Sequence, residues 1–162
     1  MPETELTIRY LLEHLAEEIR SPEGPGEVTK AYNEALIEEF RANDGQLSGD
    51  LARADFMLLT TTGAKSGKQR TIPLAFIERD GRRYIVASKG GAATSPAWYF
   101  NLVAHPVVTA EYDGTPIECD AIVPEGTERD EVFAHIAEVQ PTFAGYQGRT
   151  DRIIPVIELR PR

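Results

Sequence analysis

Cysteine is nearly absent. Cys119 stands alone among 162 residues, so no intramolecular disulfide can form and nothing argues for an oxidising compartment. Histidine is scarce too: His14, His105 and His135 lie apart from one another and from Cys119, with no spacing that builds a zinc or iron site, and no metal is expected. No run of about 18 apolar residues occurs, which excludes stable insertion as a spanning helix. The opening "MPETELTIRYLLEHLAEEIR" carries acid where a secretory signal would carry base, so a cytoplasmic location is expected, with peripheral membrane contact left open. Positive charge is in deficit, with 17 Lys and Arg against 26 Asp and Glu and a net charge of -9. That balance argues against DNA, RNA or anionic lipid as the main partner, since each needs a wide basic surface. Hydrolase signatures are missing as well: there is no G-x-S-x-G elbow, and a Ser-His-Asp triad could be assembled only by arbitrary choice.

What remains is an ordinary globular composition, 41% hydrophobic and 27% charged, which suits one domain over residues 1–162. It divides into a helical segment, 1–42, and a β-rich core, 43–162. Ile8, Leu11, Leu12, Leu15 and Ile19 recur at helical spacing and predict a helix over residues 5 to 20. Val28, Tyr32, Ala35, Leu36 and Phe40 predict a second over 28 to 42, closed by the turn-rich "NDGQLSGD". Both carry acidic polar faces, which suits core packing better than a membrane surface. From residue 55 the pattern becomes short β-rich runs at 55–62, 70–79, 83–88, 107–113, 115–123 and 153–159. Asp80-Gly81 and Asp113-Gly114 are strong hairpin signals. About six mainly antiparallel strands with nearly continuous apolar content predict an α+β fold built on a small barrel with flanking helices. Ser95-Pro96 reads as the cap and first turn of a short helix ending at His105-Pro106. Thr127 with Asp130 resembles a capping box for another near 128–139. Residues 141–152 form a turn-rich or short helical piece.

Against that acidic background, "TTTGAKSGKQRTIPL" at 60–74 gathers Lys65, Lys68 and Arg70 around two glycines and several hydroxyls. Such a tight turn between strands leaves backbone amides open to an anion. A lysine-rich hairpin tip also serves simply to keep an edge soluble. The phosphate loop of nucleotide hydrolases does not match: three residues rather than four separate Gly63 from Gly67-Lys68, and Gln69 replaces the required hydroxyl. Three further segments are compatible with the same site. "ASKGG" at 87–91 offers Ser88, a fourth cation at Lys89 and glycines that allow close approach to the backbone. "SPAWYFN" at 95–101 supplies aromatics, although Trp98 could equally be a core anchor. Phe143 and Tyr146 follow in the last turn-rich piece.

Taken together and in this order, "TTTGAKSGKQRTIPL", "ASKGG", "PAWYFNLVAHPVV" and "GYQGRTDRIIPVIEL" closely resemble the deazaflavin-dependent nitroreductase family, including its F420H2-dependent quinone reductases. The resemblance spans roughly residues 33 to 159. It implies a split β-barrel of the FMN-binding type and binding of reduced coenzyme F420. It further implies hydride delivery to quinones, nitroaromatics or similar activated acceptors. By the same resemblance Lys65, Ser66, Gly67 and Arg70 hold the cofactor's phosphate and oligoglutamate tail. Thr71, Ile72, Pro73, Leu74, Ala75 and Phe76 lie beneath its ring system. Val86, Ala87, Ser88 and Lys89 form the loop beside the deazaflavin, and Ala97, Trp98, Tyr99, Phe100 and Asn101 the helix start that walls it. Phe143 and Tyr146 face the substrate, with Ser88 and Tyr146 in catalytic roles. Two departures stand out: Ala64 occupies a position where relatives often carry Arg, and Phe143 one where the nitroreductase prototype has Tyr. Two rival readings use the same residues: an FMN-dependent reductase or oxidase on the same barrel, and an F420 carrier without turnover. A homodimer stays open.

Overall fold

Tyr32, Leu36 and Phe40 are buried along one stripe of α1 (Glu27–Ala42), where helical spacing places them on a common face. The computed structural model describes residues 27–48, 51 and 55–162, and the helix expected over 5 to 20 lies outside them. After α1 come β1 (Phe56–Thr62), β2 (Gln69–Ala75), β3 (Ile77–Arg79), β4 (Arg82–Val86) and α2 (Ala97–Ala104). Then follow β5 (Val107–Glu111), β6 (Pro116–Ile122), α3 (Gly126–Val139), α4 (Thr142–Gln147) and β7 (Val156–Pro161).

All strand pairs are antiparallel, and the sheet runs β2-β1-β5-β6-β7-β4-β3. β2 and β3 are its two edges, yet Phe76 alone separates them in the chain. Two residue steps reach at most roughly 7 Å, so the edges must come together and the sheet must curl into a split barrel. The single strand expected over 70–79 is therefore two, giving seven strands rather than six among the described residues. An unbroken apolar run hid the bend, where the Phe76 amide donates to the Asp55 carbonyl at 2.9 Å instead of joining a ladder.

Alternation along the strands explains why they read as almost continuously apolar. In β1, Met57 and Leu59 point into the barrel with Ile85, Val108, Ala110, Cys119, Ile157 and Leu159, while Leu58 points outward against Leu36 and Phe40 of α1. On another outer face, Tyr84, Val86 and Val156 meet Val132, Phe133 and Ile136 of α3. Each such side chain contributes about 1.5–3 kcal/mol on burial, more than the roughly 1 kcal/mol of a hydroxyl pair such as Thr60–Thr71, whose oxygens lie 2.7 Å apart. Asp80 and Gly81, with φ of 53° and 74°, make the β3–β4 turn as a primed hairpin.

Three local expectations fail. Ser95 does not cap α2; Pro96 occupies the cap position, and the Ser95 hydroxyl instead accepts from Arg152 at 3.2 Å. Thr127 and Asp130 make no capping box: Glu125 sits at the cap of α3 without a side-chain bond, and the Asp130 carboxylate accepts from Arg129. The last strand begins at Val156 rather than near 153, because the Ile154 amide and carbonyl bond to the side chains of Gln147 and Arg129 rather than to a neighbouring strand.

Candidate active site

The cationic stretch forms the β1–β2 turn. The Gly63 amide donates to the Lys68 carbonyl at 2.8 Å, and the Gly67 amide to the Gly63 carbonyl at 3.0 Å. Gly67 supplies the left-handed residue this turn requires, with φ of 69°. The Ser66 hydroxyl accepts from the Lys68 amide at 3.2 Å and fills the space where a Cβ on residue 63 would stand. Asn101 of α2 ties the turn down. Its Oδ1 accepts from the Ala64 amide at 3.0 Å, and its Nδ2 donates to Thr61 Oγ1 at 3.4 Å. Elsewhere Arg41, Arg82, Arg83, Arg129, Arg160 and Arg162 are paired with carboxylates. Lys65, Lys68, Arg70 and Lys89 have no such partner among the described residues, as is also true of Lys30, Arg79, Arg149 and Arg152; what sets the hairpin apart is three exposed cations within six positions.

Strand alternation puts Arg70, Ile72 and Leu74 on one face of β2. Ile72, Leu74 and Phe76 are only half-buried, packing beside Trp98 and Tyr99 of α2 against the barrel interior. An apolar strip thus leads to a cationic end. Thr71, Pro73 and Ala75 occupy the opposite face of the same strand and are also half-buried.

Val86 ends β4, and the buried Ala87 after it leads into a short turn at Lys89–Gly91. Lys89, Gly90 and Gly91 all have positive φ, at 46°, 63° and 83°. Such a backbone at a residue other than glycine, here Lys89, costs about 1–3 kcal/mol and persists only where surroundings enforce it. Arg152 does so. Its Nη2 donates to the Ala87 carbonyl at 3.2 Å and the Ser88 carbonyl at 2.8 Å, its Nε to the Ala92 carbonyl at 2.8 Å, and its Nη1 to Ser95 Oγ. Burial pushes this guanidinium below its ordinary pKa, although an arginine stays charged. Ser88 is buried, and its hydroxyl makes no hydrogen bond among the described residues.

The same loop abuts α4. A Cβ on Gly91 would lie 2.6 Å from the Tyr146 carbonyl oxygen, so only glycine allows this approach. Phe143 and Tyr146 pack edge to face with ring centroids 5.9 Å apart and rest half-buried on the Tyr84, Val86 and Phe133 cluster. Contacts therefore connect the segments: hairpin to α2 through Asn101, the 87–95 loop to residue 152, and the loop to α4 at Gly91. Ala97 and Phe100 of α2 are exposed, Phe100 by 53%, and make no part of that chain of contacts. A groove of about 380 Å³ lies on the outer face of β1, β5 and β6, lined by Thr60, Thr62, Gln69, Thr109 and Glu118. It contains none of the predicted residues, and its one charged lining side chain is a carboxylate, which would repel an anion.

The sequence model of the F420H(2)-dependent quinone reductase family matches residues 34–161. The chain belongs to that family. An F420H(2)-dependent quinone reductase of Mycobacterium tuberculosis is 36% identical over 130 residues, covering 76% of this chain and 85% of the relative. Among solved structures, an F420-H2 dependent reductase, FDR-A, is 42% identical with a TM-score of 0.59, covering 65% of this chain and 94% of its own. A second structure, described as a domain-swapped dimer, is 40% identical with a TM-score of 0.62, covering 76% of this chain and 91% of its own.

For an F420H2-dependent reductase the donor set is chemically apt. Unpaired cations at the hairpin suit a polyanionic tail, and the half-buried strip of Ile72, Leu74 and Phe76 suits a flat ring. Reading residues along the chain missed Arg129, Gln147 and Arg152. Gln147 and Arg152 stand inside "GYQGRTDRIIPVIEL", but nothing local signals that Arg152 will bond carbonyls sixty or more positions away.

Proposed function

We propose that this chain transfers hydride from reduced coenzyme F420 to a quinone, with nitroaromatics as further acceptors, through the site between the β1–β2 hairpin, the 87–91 loop and α4. The observation that carries this reading is the exposed cluster of Lys65, Lys68 and Arg70, without carboxylate partners among the described residues, at the end of a half-buried apolar strip in an otherwise acidic protein. The cofactor, when bound, supplies a two-electron hydride donor. Lys65 and Arg70, with the Ser66 and Gly67 backbone, hold the anionic tail. Each charge-assisted bond is worth about 1.5–3 kcal/mol when partly shielded from water. Thr71 to Phe76 and the start of α2, Ala97 to Asn101, support and flank the ring, with Trp98 and Tyr99 restricting water. Ser88 offers its unpartnered hydroxyl to the ring or the acceptor oxygen. Tyr146 donates a hydrogen bond or proton to the negative charge that develops on the acceptor, while Phe143 packs against its ring.

The cation set also favours F420 over FMN, whose single phosphate needs fewer partners. No helix among the described residues is long and apolar enough to cross a membrane. A cytoplasmic location and a homodimer belong to the same proposal, the dimer supported by the domain-swapped neighbour. Titration of the purified protein with reduced F420 and with FMN, followed by turnover with a quinone panel, tests the assignment. Tighter F420 binding with quinone reduction is expected. Equal or tighter FMN binding overturns the cofactor choice, and F420 binding without turnover on any acceptor makes the protein a carrier.

A further inference from the structure

The segment from Ala87 to Ser95 has almost no regular structure, three successive left-handed residues, and a functional task if the proposed function holds. One side chain organises it. The Arg152 guanidinium spans three carbonyls, those of Ala87, Ser88 and Ala92, and reaches the Ser95 hydroxyl as well. No lysine could do this, because only the planar fork presents fixed donors in several directions at once.

Arg152 is itself held in place. The Gln147 amide group donates to the Arg152 carbonyl at 2.7 Å, and the Arg152 amide donates to Thr150 Oγ1 at 3.3 Å. Gln147 Oε1 accepts from Arg129 at 2.9 Å and from the Ile154 amide at 3.1 Å. Arg129 also donates to the Ile154 carbonyl, at 2.7 Å from Nη2 and 3.1 Å from Nε. A polar lattice thus runs from α3 through α4 to the loop that ends β4. None of its three long side chains is among the residues assigned above to the cofactor or the acceptor.

We propose that Arg152, held by Gln147 and Arg129, is the positioning residue of the active site: it sets the backbone that aims Ser88 and Lys89 at the cofactor. This rests on the reading of the 87–91 loop as part of the F420 site. The guanidinium acts through carbonyls and donates nothing to the ligand. Its loss should therefore loosen the loop and weaken binding without removing a direct contact to the anionic tail. That separates it from Lys65 and Arg70, whose loss changes the salt dependence directly.

The test uses the full chain as wild type, Arg152→Met, Arg152→Lys and Ser95→Ala. Three quantities are read: amide hydrogen exchange without ligand, the dissociation constant for reduced F420 at several salt concentrations, and thermal melting. Arg152→Met is expected to speed exchange at residues 88–95 while β1 and β5 stay protected. It should raise the dissociation constant about tenfold or more, with the wild-type salt slope retained. Arg152→Lys should recover only part of the loss, and Ser95→Ala, missing one bond, should raise the constant a few-fold. If Arg152→Met does not fold, the other two variants carry the same comparison.

Unchanged loop exchange and unchanged affinity in folded variants, with wild type binding F420, overturn the positioning role and leave the functional reading intact. A reduced salt slope in an Arg152 variant overturns it differently, by making Arg152 a direct ligand. Failure of the wild type to bind F420 removes the functional reading, and this proposal with it.

Discussion

Replacing Gly91 by Ala should damage stability and the site together, and a matched glycine elsewhere separates the two causes. Gly91 has φ of 83°, and its added Cβ would lie 2.6 Å from the Tyr146 carbonyl oxygen, 3.0 Å from Arg149 Cβ and 3.2 Å from Tyr146 Cα. Gly81 has a similar φ of 74° but open space around its Cβ position. Gly81→Ala therefore measures the left-handed penalty alone, about 1 kcal/mol, or roughly 2–4 °C of melting temperature for a chain of this size. Gly91→Ala adds overpacking against backbone that cannot rotate away, for a total of about 3 kcal/mol and roughly 6–12 °C. The clash is relieved by moving α4 from the loop, which carries Tyr146 away from residue 91. Cofactor affinity and quinone turnover should then fall in Gly91→Ala and hold in Gly81→Ala. Differential scanning calorimetry with cofactor titration of both variants decides it. Equal melting shifts would refute the argument, because they would mean that loop and helix give way to each other freely.

Lys65→Ala and Arg70→Ala should each raise the dissociation constant for F420 and flatten its salt dependence while leaving the melting temperature of the free protein unchanged; lost stability with intact affinity would make the hairpin a structural edge. Asn101→Ala strips the Ala64 amide of its acceptor, so exchange at residues 63–68 should accelerate at a cost of about 0.5–1.5 kcal/mol, and unchanged protection there would show that the tie contributes nothing. Tyr146→Phe should lower kcat on quinones by about ten- to a hundredfold with little change in cofactor affinity, whereas Phe143→Tyr should raise nitro reduction; a silent Tyr146→Phe on every acceptor reduces the residue to packing. Burial pushes both Tyr32 and Tyr112 up to about 12 from an ordinary value of 10.0. The fold thus favours the neutral phenols, their contribution is complete below pH 10, and it is lost as pH rises towards 12. Denaturant midpoints should fall across that alkaline range, and a Tyr112→Phe variant that falls as steeply would contradict the assignment.

Much of the fold is written in short stretches. The stripe of Tyr32, Leu36 and Phe40, the Asp80-Gly81 turn and the antiparallel succession of strands all follow from interactions between near neighbours in the chain, which local residue choice controls. The cationic hairpin is equally local, since Gly63, Ser66, Gly67 and Lys68 close the turn among themselves. Family membership is legible for a related reason: the motifs that carry it are contiguous. Other features depend on distant partners. That 70–79 breaks at Phe76 depends on how the whole sheet curls, because the two strands it joins are neighbours in the chain yet lie at opposite edges, with five other strands between them. Ser95 had the residue type of a helix cap, yet Arg152 competes for its hydroxyl from 57 positions away. Arg129, Gln147 and Arg152 do not stand out in the sequence, because a polar side chain there is informative only once buried carbonyls need donors. Which carbonyls are buried is settled only when loop, helix and strand have packed. The sequence alone therefore determined the elements, the charge of the site and the family. Tertiary structure decided which of those elements meet, because hydrogen-bond partners are chosen by distance in space, and the barrel sets that distance.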